Sequence, residues 1–178
     1  KISAWGLTAV GDIDTIHTII GSGHFQTAQC PYNLLNPSQG SEIPYGYPYQ
    51  DFKRLINSAS SKNMGVIAIR VLAAGALSAT AERHELAAQS PRPIGTGASL
   101  IDDVAAAKKF SFLWSEGYTD NIVEGAIRFA ITNHDVSTAL IGLSSMEQLE
   151  CAAIAAEKGP LPGEAIERLQ AIWADMVN

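Results

Sequence analysis

Short runs of β-type residues alternate along this chain with longer segments of helical apolar period. That layout builds βαβ units on a parallel sheet and constrains the fold more than any other feature. The clearest element is Val66, Ile67, Ala68, Ile69, Arg70 and Val71, nearly continuous in apolar character, as a parallel strand is when both of its faces are covered. Three further strands are expected over residues 2–7, 25–32 and 137–141, which makes four βα units. A helix is expected over residues 12–22, with Ile13, Ile16, Ile19 and Ile20 on one side and a stop at Gly21 and Gly23. A second over 50–63 repeats Phe52, Leu55, Ile56 and Ala59 at helical spacing and closes on Asn63 and Gly65, which tolerate left-handed backbone. Helices over 101–116 and 119–133 precede the fourth strand. After it, Ser145-Met146-Glu147-Gln148 matches a capping box, the serine placed to bond a free amide and the glutamine to reach back. A last helix over 162–177 places Pro162 near its first turn.

The stretch 72–100 is rich in Ala, Gly, Ser and Pro, and so long a connection in a compact domain is usually functional or mobile. There is no repeat of fixed length, no linker and no low-complexity tract, so residues 1–178 read as one unit.

Composition removes whole classes of function. With 47% apolar and 17% charged residues over 178 positions, the chain is globular rather than disordered. A net charge of -6, with twelve Lys and Arg dispersed rather than collected on one stripe, leaves no electrostatic footprint for nucleic acid. No apolar run approaches the roughly 18 residues that span a bilayer, and residues 1–6 lack a signal-peptide layout, so a soluble cytoplasmic protein is expected. Cys30 and Cys151 have no metal-ligand spacing and are expected to be free, packed as small apolar residues. The chain opens on Lys1 and runs straight into a strand-like segment, so a processed piece or an incomplete chain is expected.

Familiar catalytic signatures fail. Gly142-Leu143-Ser144-Ser145-Met146 begins like a nucleophile elbow but lacks the closing glycine. His17, His24, His84 and His134 show no paired ligand spacing and read as surface or capping residues. Gly21-Ser22-Gly23 and Gly95-Thr96-Gly97 do not form the dinucleotide fingerprint, which leaves a Rossmann site as a weaker alternative. The better signal is positional. In a βα barrel, the loops after the last strands and a helix N-terminus commonly form a phosphate site. Gly142, Leu143, Ser144 and Ser145 lie between the fourth strand and its helix, so free amides and the positive end of the helix would face an anion there. The competing reading is that Ser145 only caps the helix.

Taken in order, four segments resemble the ends of strands five to eight of the aldo-keto reductase (βα)8 TIM barrel. Trp5-Gly6-Leu7-Thr8 is similar to the family's Gly-x-Ser motif, with Thr8 in the serine position. Gln29-Cys30-Pro31-Tyr32-Asn33-Leu34-Leu35 resembles Gln-x-x-Tyr-Asn-Leu-Leu. Arg70-Val71-Leu72-Ala73-Ala74-Gly75-Ala76-Leu77 looks like Ser-Pro-Leu-x-x-Gly-x-Leu, and the run from Ile141 to Leu149 resembles the strand-eight loop and helix start. The segment from Glu124 to Phe129, with Arg128, is similar to the helix before strand eight.

The resemblance implies an α/β fold, the C-terminal half-barrel of four βα units, and an oxidoreductase moving hydride between a nicotinamide cofactor and a carbonyl or alcohol. It implies NADP as the cofactor, with NAD as the alternative. It gives Thr8 and Gln29 to the carboxamide, whose donors and acceptors their side chains match. It gives Arg70, Val71, Leu72, Ala73, Gly75 and Leu77 to the pyrophosphate and its loop, and Gly142, Leu143, Ser144, Ser145 and Gln148 to the adenosine phosphate end. Departures from the family are Ala9 for Asn or Arg, Ile69 for a stacking Tyr, Cys151-Ala152 for Glu-Asn, and no Lys or Arg near Gly142 or Gln148 for a 2′-phosphate. The family's catalytic Tyr, Lys, Asp and His come from the first four strands and have no matching position, so no catalytic residue is assigned. The expected partner is the N-terminal half of the same barrel or a second copy. Without one, two sheet edges and apolar strands such as residues 66–71 would meet water. A rival reading is a non-catalytic nucleotide-sensing or interaction module on the same half-barrel; another is an unrelated phosphate-binding βα protein.

Overall fold

Four parallel strands lie side by side in chain order: β1 (Gly6–Thr8), β2 (Thr27–Pro31), β3 (Gly65–Ile69) and β4 (Thr138–Ala139). The computed structural model describes residues 1–78, 82–96 and 99–177. The register aligns Thr8 with Gln29, Gln29 with Ile67, and Ile67 with Thr138. Because side chains alternate along a strand, Ala28, Cys30, Val66 and Ala68 point the other way, and each is fully buried. Helix α2 (Leu55–Ser60) packs on β2 and β3, α1 (Ile13–Gly21) packs on α2, and α5 (Ile122–Thr132) packs on β4 and on α6 (Met146–Glu157).

This alternation corrects one expectation. Residues 66–71 present only part of their apolar character on the inner surface: Val66, Ala68 and Val71 are buried, and Ile67 and Ile69 stand half-buried on the uncovered face. Their neighbours there are Gly6, Thr8, Thr27 and Gln29, small or polar. Gly6 is required by this layer, since a Cβ at that position would collide with the Thr27 side chain.

Helix limits differ where side chains or backbone intervene. In α1 the buried stripe is Ile13, Ile16 and Ile20, while Ile19 falls off the stripe and is exposed. The helix expected over 50–63 is shortened to Leu55–Ser60, because Lys53 and Arg54 are left-handed (φ 52° and 53°) and cannot continue a helix. The segment expected as one helix over 101–116 starts behind the Ser99–Asp102 capping box and divides into α3 (Leu100–Ala107), a 3-10 turn (Lys108–Phe110) and α4 (Phe112–Ser115). A 3-10 turn brings positions i and i+3 onto one line, and Ala107 and Phe110 are both fully buried. Helix α7 (Gly163–Asp175) follows Pro162, which stands at the cap position.

The polar segment after β2 is core, not surface. Residues 32–39 are all buried, and the side-chain amides of Asn33 and Asn36 replace hydrogen bonds that water would make. Asn33 Oδ1 accepts from the amides of Leu35 and Asn36, and Asn36 Nδ2 donates to the carbonyls of Gln50 and Gly95. Trp173 Nε1 donates to Leu34 O at 2.8 Å and Tyr47 Oη to Leu35 O at 2.6 Å, which fastens α7 and the following loop to this segment. At the other end, Glu124 accepts from Arg128 and Lys158, and Arg128 also donates to the carbonyls of Tyr118, Gly159 and Pro160. That network accounts structurally for the motif around Arg128. Of the two free cysteines, Cys30 is buried as expected, whereas Cys151 is exposed.

Candidate functional site

Strand β3 ends where Arg70 turns left-handed, at φ 57°. Its carbonyl accepts from the Ala73 amide at 2.7 Å and from the buried Asn33 Nδ2 at 3.0 Å, so the turn is held from within the core. Ala73 and Ala74 are also left-handed, and Gly75 follows at φ 100°, inside a 3-10 segment spanning Ala73–Ser78. A run of non-glycine residues in this region costs energy that surrounding contacts must supply, and such runs concentrate at functional sites. Gly75 is favoured as glycine by its φ, and the Arg83 guanidinium lies against the place a Cβ would take. Arg83 ties residues of the long connection back onto this turn, donating from Nη1 to Ala74 O at 2.7 Å and from Nε to Ala88 O at 2.6 Å.

The facing wall is the end of β4 and the start of α6. Ser145 caps α6, its Oγ accepting from the Gln148 amide, and Gln148 Oε1 accepts from the Ser144 amide at 2.7 Å. The glutamine thus reaches one residue farther back than in the standard box. Between the walls lies a cavity of about 680 Å³, within the usual range for a small-molecule site.

Eight of the thirteen residues singled out from the sequence line this cavity: Arg70, Val71, Leu72, Gly75, Gly142, Leu143, Ser144 and Gln148. Ala73 and Leu77 are buried beneath the turn instead, and Ser145 caps the helix from outside the lining. Thr8 and Gln29 form a separate pair on the uncovered face, Thr8 Oγ1 donating to Gln29 Oε1 at 3.2 Å. This leaves the Gln29 amide nitrogen as a donor and the Thr8 oxygen as an acceptor, the set a primary carboxamide requires.

The structure adds residues that sequence reasoning missed. Arg83, Asn121 and Glu147 also line the cavity, as do Cys151 and Ala152, which stand where the family often has Glu-Asn. Glu147 was within reach of a sequence argument, since an acidic residue in a first helical turn is drawn to the helix dipole; the position of Arg83 has no local signature. The Glu147 carboxyl is held below the usual range by its own backbone amide, then by the Ser145 hydroxyl, with His84 nearby adding to the effect. The expectation of free amides is corrected at Ser144, whose amide donates to Gln148 Oε1.

The tyrosines of the helix-covered side are poor proton donors. Burial pushes Tyr32 up to about 12, against a smaller opposing effect of Asn133, and pushes Tyr49 to about 12 with help from Asp103 and Asp102. Burial raises Tyr47 also. Among the described residues, no group of three or more His, Cys, Asp or Glu is placed to hold a metal ion, and no helix is long and apolar enough to cross a membrane.

Comparison with known proteins agrees with this geometry. No curated protein gives a sequence match. Two solved structures of aldo-keto reductase AKR11C1 from Bacillus halodurans superpose on the chain. The holo form does so at 16% identity and a TM-score of 0.60, covering 95% of this chain and 49% of that one. The apo form does so at 17% identity and a TM-score of 0.61, covering 95% and 50%. The chain thus spans about half the length of the structures it matches, and at this identity the likeness speaks for the fold. A model of the aldo/keto reductase family, whose fold is a (βα)8 barrel, matches residues 1–174, and the chain belongs to that family.

Proposed function

We propose that the chain is the C-terminal half, strands five to eight, of an aldo-keto reductase barrel. In this reading it supplies the cofactor-holding half of an NAD(P)-dependent oxidoreductase acting on a small carbonyl or alcohol. The observation that carries this reading is the 680 Å³ cavity at the C-terminal ends of β3 and β4, where barrel enzymes place their sites. When bound, the nicotinamide supplies hydride chemistry; the protein binds and orients. Thr8 and Gln29 take the carboxamide, and Arg70 faces the pyrophosphate. The turn from Val71 to Gly75 is shaped from below by Ala73 and Leu77. Gly142, Leu143, Ser144 and Gln148 line the adenosine end, with Ser145 fixing the helix behind them. The resemblance implies NADP and leaves NAD open. The partner is the other half of the barrel, or a second copy, seated on the face that carries Thr8 and Gln29.

A second reading, a nucleotide-sensing or interaction module without catalysis, uses the same cavity and asks for no proton donor. Kinetics separate the two. In the complete protein, Gln29→Ala is expected to raise the KM for cofactor about tenfold, the equivalent of about 1.4 kcal/mol of lost hydrogen bonding. The 178-residue chain alone is expected to reduce no carbonyl. Unchanged cofactor kinetics in the variant, or steady turnover by the chain alone, would refute the assignment.

A further inference from the structure

Side chains alternate along β3: Val66 and Ala68 are fully buried on the helix-covered face, and Ile67 and Ile69 stand half-buried on the open one. One more extended residue would send the Arg70 side chain after Val66 and Ala68, into a sealed apolar layer where a guanidinium is costly to bury. Arg70 is left-handed instead, at φ 57°, and lines the cavity together with Arg83 and Glu82. The left-handed region is uphill for an arginine, so a contact from elsewhere must hold it there. That contact is on its carbonyl, which accepts from the Ala73 amide at 2.7 Å and from Asn33 Nδ2 at 3.0 Å.

Asn33 is 2% exposed and divides its amide between two tasks. Oδ1 accepts from the Leu35 and Asn36 amides, each at 3.0 Å, which shapes its own loop, while Nδ2 crosses to the end of β3. Resting on the function proposed above, we infer that Asn33 is a positioning residue for the cavity. Its Nδ2–H holds the Arg70 carbonyl, keeps Arg70 left-handed, and so aims the guanidinium at the phosphates of a bound dinucleotide. Asn33 is not in the cavity lining, so its effect on binding passes through Arg70. A ligand gains from a guanidinium that folding has already ordered. N33D separates the two tasks: it keeps an oxygen for the Leu35 and Asn36 amides but sets a second acceptor against the Arg70 carbonyl.

Two measurements on the complete protein test this: titration with NADH and with NADPH, followed by quenching of tryptophan fluorescence, and amide hydrogen exchange without ligand, read by NMR. N33D should weaken both cofactors at least about fivefold, the worth of one hydrogen bond. It should also speed exchange of the Ala73 amide while the Leu35 and Asn36 amides keep their protection. R70A should weaken both cofactors too, and adding N33D to R70A should weaken them less than about twofold further, because residues acting through one contact do not add. A residue that only stabilised the core would lower affinity equally in both backgrounds. N33D that binds as the wild type does, or whose loss is undiminished beside R70A, overturns the inference and leaves the dinucleotide site standing. Should N33D not fold, N33S takes its place in the cycle, since its hydroxyl can still cap the Asn36 amide but is too short to reach the Arg70 carbonyl. If the wild type binds neither cofactor, the function proposed above falls, and an Ala73 amide that stays protected in the variant overturns this inference separately.

Discussion

The two faces of the sheet are built from alternate residues of the same strands and could hardly differ more. On the helix-covered face, Ala28, Cys30, Val66 and Ala68 are sealed under α2 and its neighbours, and Leu55, Ile56 and Ala59 above them are fully buried. On the opposite face, Gly6, Thr8, Thr27 and Gln29 lie beside Ile67 and Ile69, and none of the six is fully buried. One face is a finished core. The other is a polar, glycine-bearing layer suited to holding small-molecule groups and to meeting a complementary surface, and its exposure forgoes less apolar burial than the sequence pattern alone suggests.

Truncation on each face breaks or sharpens this contrast, and gives the largest expected effects. Leu55→Ala should cost about 2–5 kcal/mol, the range for buried leucines, whether the chain is studied alone or in the complete protein. Ile67→Ala should cost about 1 kcal/mol in the chain alone, where the side chain is half-buried, and rise toward the buried-residue range of about 2–5 kcal/mol in the complete protein, where a covering half removes it from water. Urea denaturation of both variants in both contexts checks this; an Ile67 cost that does not change with context would mean that nothing covers the open face.

A smaller effect should come from acid. Burial pushes the Glu124 carboxyl up, but hydrogen bonds from Lys158 and Arg128, with the Asp120 amide, outweigh it and hold the group below the usual carboxylate range. A carboxyl whose folded pKa is depressed contributes stability that is present above its unfolded pKa, about 4.3. That contribution is lost as pH falls through the folded value. Glu124→Gln should therefore remove part of the acid sensitivity of unfolding below about pH 4.3, on the helix-covered side that carries the network. An acid-unfolding curve of unchanged slope in the variant would place the controlling groups elsewhere.

What the sequence made legible follows from periodicity and capping. The apolar run at Val66, the isoleucine stripe of α1 and the serine cap of α6 are local signals, and the structure uses each of them. The features that escaped are set by distant partners. Lys53 and Arg54 carry no sign of a left-handed turn, and Asn33 reads as loop material until its amide is seen bridging to Arg70. The site divided along the same line. Strand-end motifs named eight residues of the cavity lining, while Arg83, which donates to Ala74 O beside Gly75, depends on side-chain placement that spacing does not encode.

Hydrogen exchange of the complete protein with and without NADH tests the central claim most directly, because a bound dinucleotide protects the amides it covers or orders. The account predicts slowed exchange at Thr8, at Gln29, across Arg70–Leu77 and across Gly142–Gln148, with α7 unaffected. Protection confined to other segments, or no change at any of these four, would contradict it.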